Sequence, residues 1–229
     1  MARFFAVLAV FLIAHVIPAM PASRRRLQAR LGEGGFIAAY SVLSTLLFAW
    51  LIREALLAPY VPLWFAGYWG YWVALIFMPL AALLFGAAVL APNPFSISFV
   101  TRAYDPRVPG AVAISRHPLL WGLGLWGLAH LPANGHVVGL ALFGTLGVFA
   151  LIGMALVEGR RRAVLGEEQW VALTAGTSFL PFVALLTGRA LWPRDPVTLL
   201  GGVVGLLAAV LLLAGGHLWL FQRDPLAFL

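Results

Sequence analysis

The chain has 229 residues, of which 62% are hydrophobic and only 10% charged. A water-soluble domain carries about 45–50% apolar and about 25% charged residues, so this chain cannot cover a water-facing surface. It has no Cys, and all 15 basic residues are Arg, which excludes disulfides, thiolate metal or haem ligation, cysteine nucleophiles and Schiff-base lysines. The net charge of +7 is the kind a membrane protein uses to orient itself, and nucleic acid is set aside as a partner.

A helix crosses a bilayer with about 20 apolar residues. In chain order the apolar runs predict spans over 4–20, 36–57, 67–90, 118–131, 137–157 and 197–221. The first ends at Pro18 and Pro21 and is read as a retained helix, because no basic region precedes it and no clear Ala-x-Ala site follows it. The second stops at Pro59 and Pro62. The third contains Pro79, a kink position. The fourth is short for a span. A seventh apolar stretch, 177–186, is too short to cross and reads as an interfacial or re-entrant segment. The fold class is all-α, a polytopic transmembrane helical bundle with about six spans plus that short segment. No soluble stretch is long enough for a second core. Residues 1–192 form the membrane domain and 193–229 a C-terminal transmembrane helix packed on it.

Arginine sets the orientation. The loops after the first, third and fifth spans hold Arg24, Arg25, Arg26, Arg30, then Arg102, Arg107, Arg116, then Arg160, Arg161, Arg162, Arg189 and Arg194. Only Arg3, Arg53 and Arg223 fall on the other side. The positive-inside rule places these loops in the cytoplasm and both termini outside it.

Chemistry has few carriers in such a chain. Ligating or ionisable groups at membrane depth point to function by default. His15 lies within the first span, His130 near the outer end of the fourth and His117 at its inner end. With no carboxylate well inside those helices, neutral imidazoles suit haem iron or a transition metal. The competing reading is that each one bonds a neighbouring helix or a lipid head, and His136, in a polar turn, and His217, in the last helix, are read that way.

Ser115-Arg116-His117-Pro118 opens the fourth span, with proline at a favoured first helical position and free amides that attract an anion. Glu158, Arg160, Arg161, Arg162, Gly166 and Trp170 follow the fifth span and could clamp a polar head or close a salt-bridge network with another loop. Asn93, between Pro92 and Pro94, leaves the third span in a stiff turn. His-Glu-x-x-His, Gly-x-Ser-x-Gly and Gly-Lys-Ser/Thr motifs are absent.

Several short motifs in order resemble the NnrU family of bacterial membrane proteins. They are His15-Val16-Ile17-Pro18-Ala19, Leu31-Gly32-Glu33, Pro92-Asn93-Pro94, Ser115-Arg116-His117-Pro118-Leu119-Leu120-Trp121-Gly122, Ala129-His130-Leu131-Pro132-Ala133-Asn134-Gly135, Arg160-Arg161-Arg162 and Thr177-Ser178-Phe179-Leu180-Pro181-Phe182. The resemblance implies an association with nitrite and nitric oxide reduction, the setting of denitrification. The same superfamily includes the 15-cis-zeta-carotene isomerases, membrane haem proteins with two axial histidines. On that likeness His15 and His130 are the expected ligands of a haem b iron, with His117 as substitute. After His130 the chain carries the NnrU sequence rather than the isomerase one. If the protein is an enzyme, the resemblance implies haem-dependent, isomerase-like chemistry on an apolar or lipid-like small molecule.

Arg116-His117-Pro118 followed by Glu158, Gly166 and Trp170 is also similar to isoprenylcysteine carboxyl methyltransferases. That implies S-adenosylmethionine at the cytoplasmic face, held by Arg116, His117 and Glu158. A third reading is non-enzymatic: an assembly, haem-supply or electron-supply factor for a respiratory reductase partner.

Overall fold

The computed structural model describes residues 1–100 and 102–228; Thr101 and Leu229, the last residue of the expected C-terminal segment, lie outside the described residues. The described residues form helices and loops, with one isolated bridge between Pro62 and His136 and no strand. The helices are α1 (Ala2–Ala19), α2 (Pro21–Leu57), α3 (Tyr68–Val89), α4 (Ala111–Ile114), α5 (Pro118–His130), α6 (Val137–Leu165), α7 (Glu167–Thr174), α8 (Val183–Leu186) and α9 (Pro196–Phe221). Five of them, α1, α2, α3, α6 and α9, are long and apolar enough to cross a bilayer. The chain is an all-α membrane helical bundle.

The expected fourth span corresponds to α5, whose 13 residues reach about 20 Å at 1.5 Å per residue. A second difference lies at Arg24, Arg25, Arg26 and Arg30, expected in a loop. They are helical, because Pro21 starts α2 at its first position and arginine is a good helix former. The break comes at Gly32, whose φ of 70° and ψ of 169° only glycine adopts readily. From there α2 continues to Leu57.

The described chain divides into two compact units: Met1–Trp64 with His136–Leu142, and Phe65–Gly135 with Phe143–Leu229. In the first, α1 buries Phe4, Val7, Leu8 and Phe11. Their spacing of three and four makes one stripe, and α1 packs on α2, which buries Leu47, Leu51 and Glu54 at similar spacing. The Val137 amide donates to the Val61 carbonyl and ties the start of α6 into this unit.

In the second unit α3 packs on α5 and α9, and α5 on α6. Lipid tails are as apolar as leucine, so such contacts rest on close packing rather than on water release. The contacts are correspondingly glycine-rich. A Cβ on Gly122 would lie 2.8 Å from the Ala81 carbonyl oxygen, and one on Gly127 2.7 Å from that of Phe143. Gly86, Gly201 and Gly205 bring the backbones of α3 and α9 into direct contact.

Both long C-terminal helices widen into a π turn, Leu140–Gly144 in α6 and Leu212–Gly216 in α9. The second contains Gly215 at φ 118° immediately before the last turn. The apolar stretch 177–186 makes no span. It is a loop ending in one-turn α8, and its backbone is tied to the start of α5.

Candidate functional site

The start of α5 is built by local hydrogen bonds. Residues before proline avoid the helical region, and His117 sits at φ −126°, ψ 49° ahead of Pro118. The His117 amide donates to Ser115 Oγ (3.1 Å), and that hydroxyl donates to the Phe179 carbonyl (2.7 Å). The Arg116 amide donates to the Ser178 carbonyl (2.8 Å) and the Phe182 amide to that of Ile114 (2.7 Å). Trp121 Nε1 also donates to the Phe179 carbonyl (2.9 Å). Segments 114–117 and 178–182 therefore hold each other.

Asn93 fastens a third strand of chain to this point. Its Oδ1 accepts from the amides of Phe95 (2.9 Å) and Ser96 (3.0 Å), and its Nδ2 donates to the Arg116 carbonyl (3.0 Å). The turn delivers the Ser96 hydroxyl to His117 Nδ1 at 2.9 Å.

Glu158, on α6, closes the cluster. Its Oε1 accepts from Arg116 Nη2 at 2.9 Å and its Oε2 from Arg116 Nε at 3.3 Å, a fork-to-carboxylate pair. Oε2 also accepts from His117 Nε2 at 2.7 Å. Arg116 reaches Thr177 Oγ1 (3.3 Å), and its guanidinium carbon lies 6.0 Å from the ring centre of buried Trp170. The His117 side chain is wholly buried, while Arg116 and Glu158 keep 15% and 22% exposure. Burial pushes the His117 imidazole below its ordinary range, and the Glu158 carboxylate works against that shift. Arg116, His117 and Glu158, singled out as binding residues, are brought together and satisfy one another. Both His117 nitrogens are occupied, Nε2–H by a carboxylate and Nδ1 by a hydroxyl, so ligation of iron would cost one of those bonds.

His15, in the first unit, and His130, in the second, share a different arrangement. His15 Nδ1 donates to the Phe11 carbonyl four residues back (2.7 Å), and His130 Nδ1 donates to that of Trp126 at the same spacing (2.7 Å). A carbonyl can only accept, so the proton is fixed on Nδ1 and the neutral ring carries its lone pair on Nε2. Metal-bound histidines are commonly held in this way. The rings around each are aromatic. His15 lies 4.1 Å from Phe11 and 5.6 Å from Tyr40, centre to centre. His130 stacks on Phe143 at 4.9 Å and 13°.

His136 is different: its Nδ1 accepts from the Gly139 amide (3.1 Å) and caps α6, which leaves the proton on Nε2. His217, expected to bond a neighbouring helix or a lipid head, follows the π turn of α9 and lies 6.5 Å from His130, ring centre to ring centre and nearly parallel at 14°. Its Nδ1 donates to the Arg223 carbonyl at 2.7 Å. Ser96 has nothing in the sequence to distinguish it from other loop hydroxyls, and Thr177 stands out there only as the first residue of the motif 177–182. Among the described residues no group of three or more His, Asp or Glu could by itself hold a metal ion.

The family model described as NnrU protein matches residues 3–225. The chain belongs to the NnrU family. This NnrU chain is 33% identical over 112 residues to the 15-cis-zeta-carotene isomerase, chloroplastic, of Arabidopsis thaliana. That match covers 46% of the chain and 30% of the isomerase, so the likeness extends over less than a third of that relative. No solved structure matches the NnrU chain.

Proposed function

We propose that this NnrU-family protein binds a haem b in the bacterial inner membrane through His15 and His130, and acts on an apolar, unsaturated lipid-like molecule by isomerase-type chemistry. The observation that carries the reading is the shared tautomer of the two histidines: Nδ1–H is given to the carbonyl four residues back, which puts the ring's lone pair on Nε2, the atom that would ligate a metal. The donor set fits a haem, since neutral imidazole is a standard axial ligand and the neighbours Phe11, Tyr40, Trp126 and Phe143 suit an apolar macrocycle. A haem held there would supply a redox-active metal centre.

The choice of His15 as the partner of His130 rests on the resemblance to the haem isomerases, and the isomerase-type activity on the likeness to the Arabidopsis protein. The chain's own residues fix the two rings, exclude water with aromatic side chains and keep the Arg116–His117–Glu158 cluster closed at the start of α5. The test is the absorption spectrum of protein purified from haem-supplemented cells, with the histidines replaced one at a time. Absence of any bound haem would overturn the proposal.

A further inference from the structure

Met20 alone separates α1 from α2, and Gly32 breaks α2 before the apolar run 36–57. The helical segment 21–31 is therefore tied at each end to a stretch long and apolar enough to cross a bilayer. At 1.5 Å per residue it is about 16 Å long, and its two tethers hold it at the level of the lipid head groups.

This segment carries Arg24, Arg25, Arg26 and Arg30, all exposed. None of the four forms an ion pair among the described residues, whereas Arg53, Arg116 and Arg162 each hold a carboxylate. Arg24 reaches across the Gly32 break, its guanidinium carbon 5.5 Å from the ring centre of Phe36. Arg25, Arg26 and Arg30 have no comparable contact among the described residues. Cations near a helix start also oppose its dipole. Three of them fall within the first six residues of α2, with no acidic residue in its first turn and no side chain capping it. The positive charge is thus left uncompensated by the protein.

The arrangement of these residues is specific. By helical spacing Ala22 and Ala29 lie two turns apart along the middle of the exposed face. Arg25 flanks that line on one side, Arg26 and Arg30 on the other. Between the guanidiniums the floor is made of methyl groups, which leaves room for a phosphate.

We infer that the exposed face of segment 21–31 is a binding surface for anionic phospholipid, with Arg25, Arg26 and Arg30 taking the phosphate-bearing head groups. Guanidinium forks match phosphate oxygens, and clusters of about four or more basic residues beside a span bind anionic leaflets. The charge and the depth of the segment select a lipid as the occupant. The inference involves none of the histidines and stands with or without haem.

Native mass spectrometry of the full, delipidated protein in detergent tests this with phosphatidylglycerol and phosphatidylcholine of identical acyl chains. The glycerol lipid is expected to be retained preferentially. Arg25→Gln and Arg30→Gln should each lower that preference roughly fivefold, the worth of one arginine at an anionic surface. The triple change of Arg25, Arg26 and Arg30 to Gln should lower it further, with the wild-type unfolding temperature kept. Arg107→Gln, at an exposed loop arginine, should leave it unchanged. Equal retention of the two lipids by the wild type overturns the inference. An unchanged preference in the triple variant does so too, and would mean that these arginines only orient the chain. So does an equal loss in Arg107→Gln, or displacement of the lipid by millimolar inorganic phosphate.

Discussion

His117 Nε2 lies 2.7 Å from Glu158 Oε2, a carboxylate 41 residues away on another helix that Arg116 also grips. One acidic side chain thus neutralises a guanidinium and orients a wholly buried imidazole. Removing one member of such a group leaves a poorly solvated charge behind, which is costlier than removing the whole group. Glu158→Gln is expected to destabilise the protein by about 2–4 kcal/mol. Arg116→Met combined with Glu158→Gln should cost less than the two single changes summed. Chemical or thermal unfolding in detergent measures both. A silent Glu158→Gln would mean the cluster holds nothing together.

Hydropathy made the helix frame legible because a bilayer demands long apolar runs, and α1, α3, α6 and α9 fall close to where the runs lie. It missed the helical start of α2, where four arginines mask a continuous helix that only Gly32 interrupts. Arg116, His117 and Glu158 could be singled out because ionisable groups are rare in such a chain. A salt-bridge network closed from the Glu158 segment to another loop was one of the two readings the sequence offered, but its partners were not legible, since they depend on Asn93 turning the chain to present Ser96 and on segment 178–182 fixing the start of α5. The approach of His217 to His130 was not legible either, because the π turn just before it has no sequence period to announce it.

The α3–α9 contact depends on absent side chains. Gly201 and Gly205 are four residues apart on α9, and a Cβ on Gly205 would press into the Ala82 carbonyl of α3. Gly205→Ala should destabilise the protein by roughly 1–3 kcal/mol through overpacking. Gly153→Ala on α6, where a Cβ meets nothing within 4 Å, should be neutral or slightly stabilising. Parallel unfolding curves distinguish them, and equal effects would remove the close-contact argument.

Topology hinges on α5, whose 13 residues are the shortest of the proposed crossings. A reporter active only in the periplasm should give signal when fused after Pro132 and at the C-terminus, and none after Arg30 or Arg102. Silence at Pro132 would mean that α5 enters the membrane without crossing. Signal after Arg30 or Arg102 would reverse the orientation drawn from arginine.

The methyltransferase reading requires Arg116, His117 and Glu158 to bind S-adenosylmethionine. As they stand, the groups bind one another, so a ligand would have to displace Glu158 from both partners. The expected outcome is no saturable S-adenosylmethionine binding to purified protein at millimolar concentration, measured by calorimetry. Saturable binding that disappears in folded His117→Ala would restore that reading.

The haem proposal turns on which imidazoles meet the iron. With two neutral imidazoles the haem is six-coordinate and low-spin, with a Soret band that scales with protein. His15→Ala and His130→Ala are each expected to abolish the band or convert it to a five-coordinate form. His136→Ala should leave it unchanged, because that ring's Nδ1 lone pair is spent capping α6. His217 is the decisive control. It carries its proton on Nδ1, as His15 and His130 do, and lies 6.5 Å from the His130 ring. If His15 is the second ligand, His217→Ala keeps the low-spin spectrum. If His217→Ala loses it while His15→Ala does not, the partner of His130 comes from the end of α9, and the pairing taken from the isomerase likeness falls. A protein that stays colourless in every form removes haem altogether and leaves the histidines as packing residues.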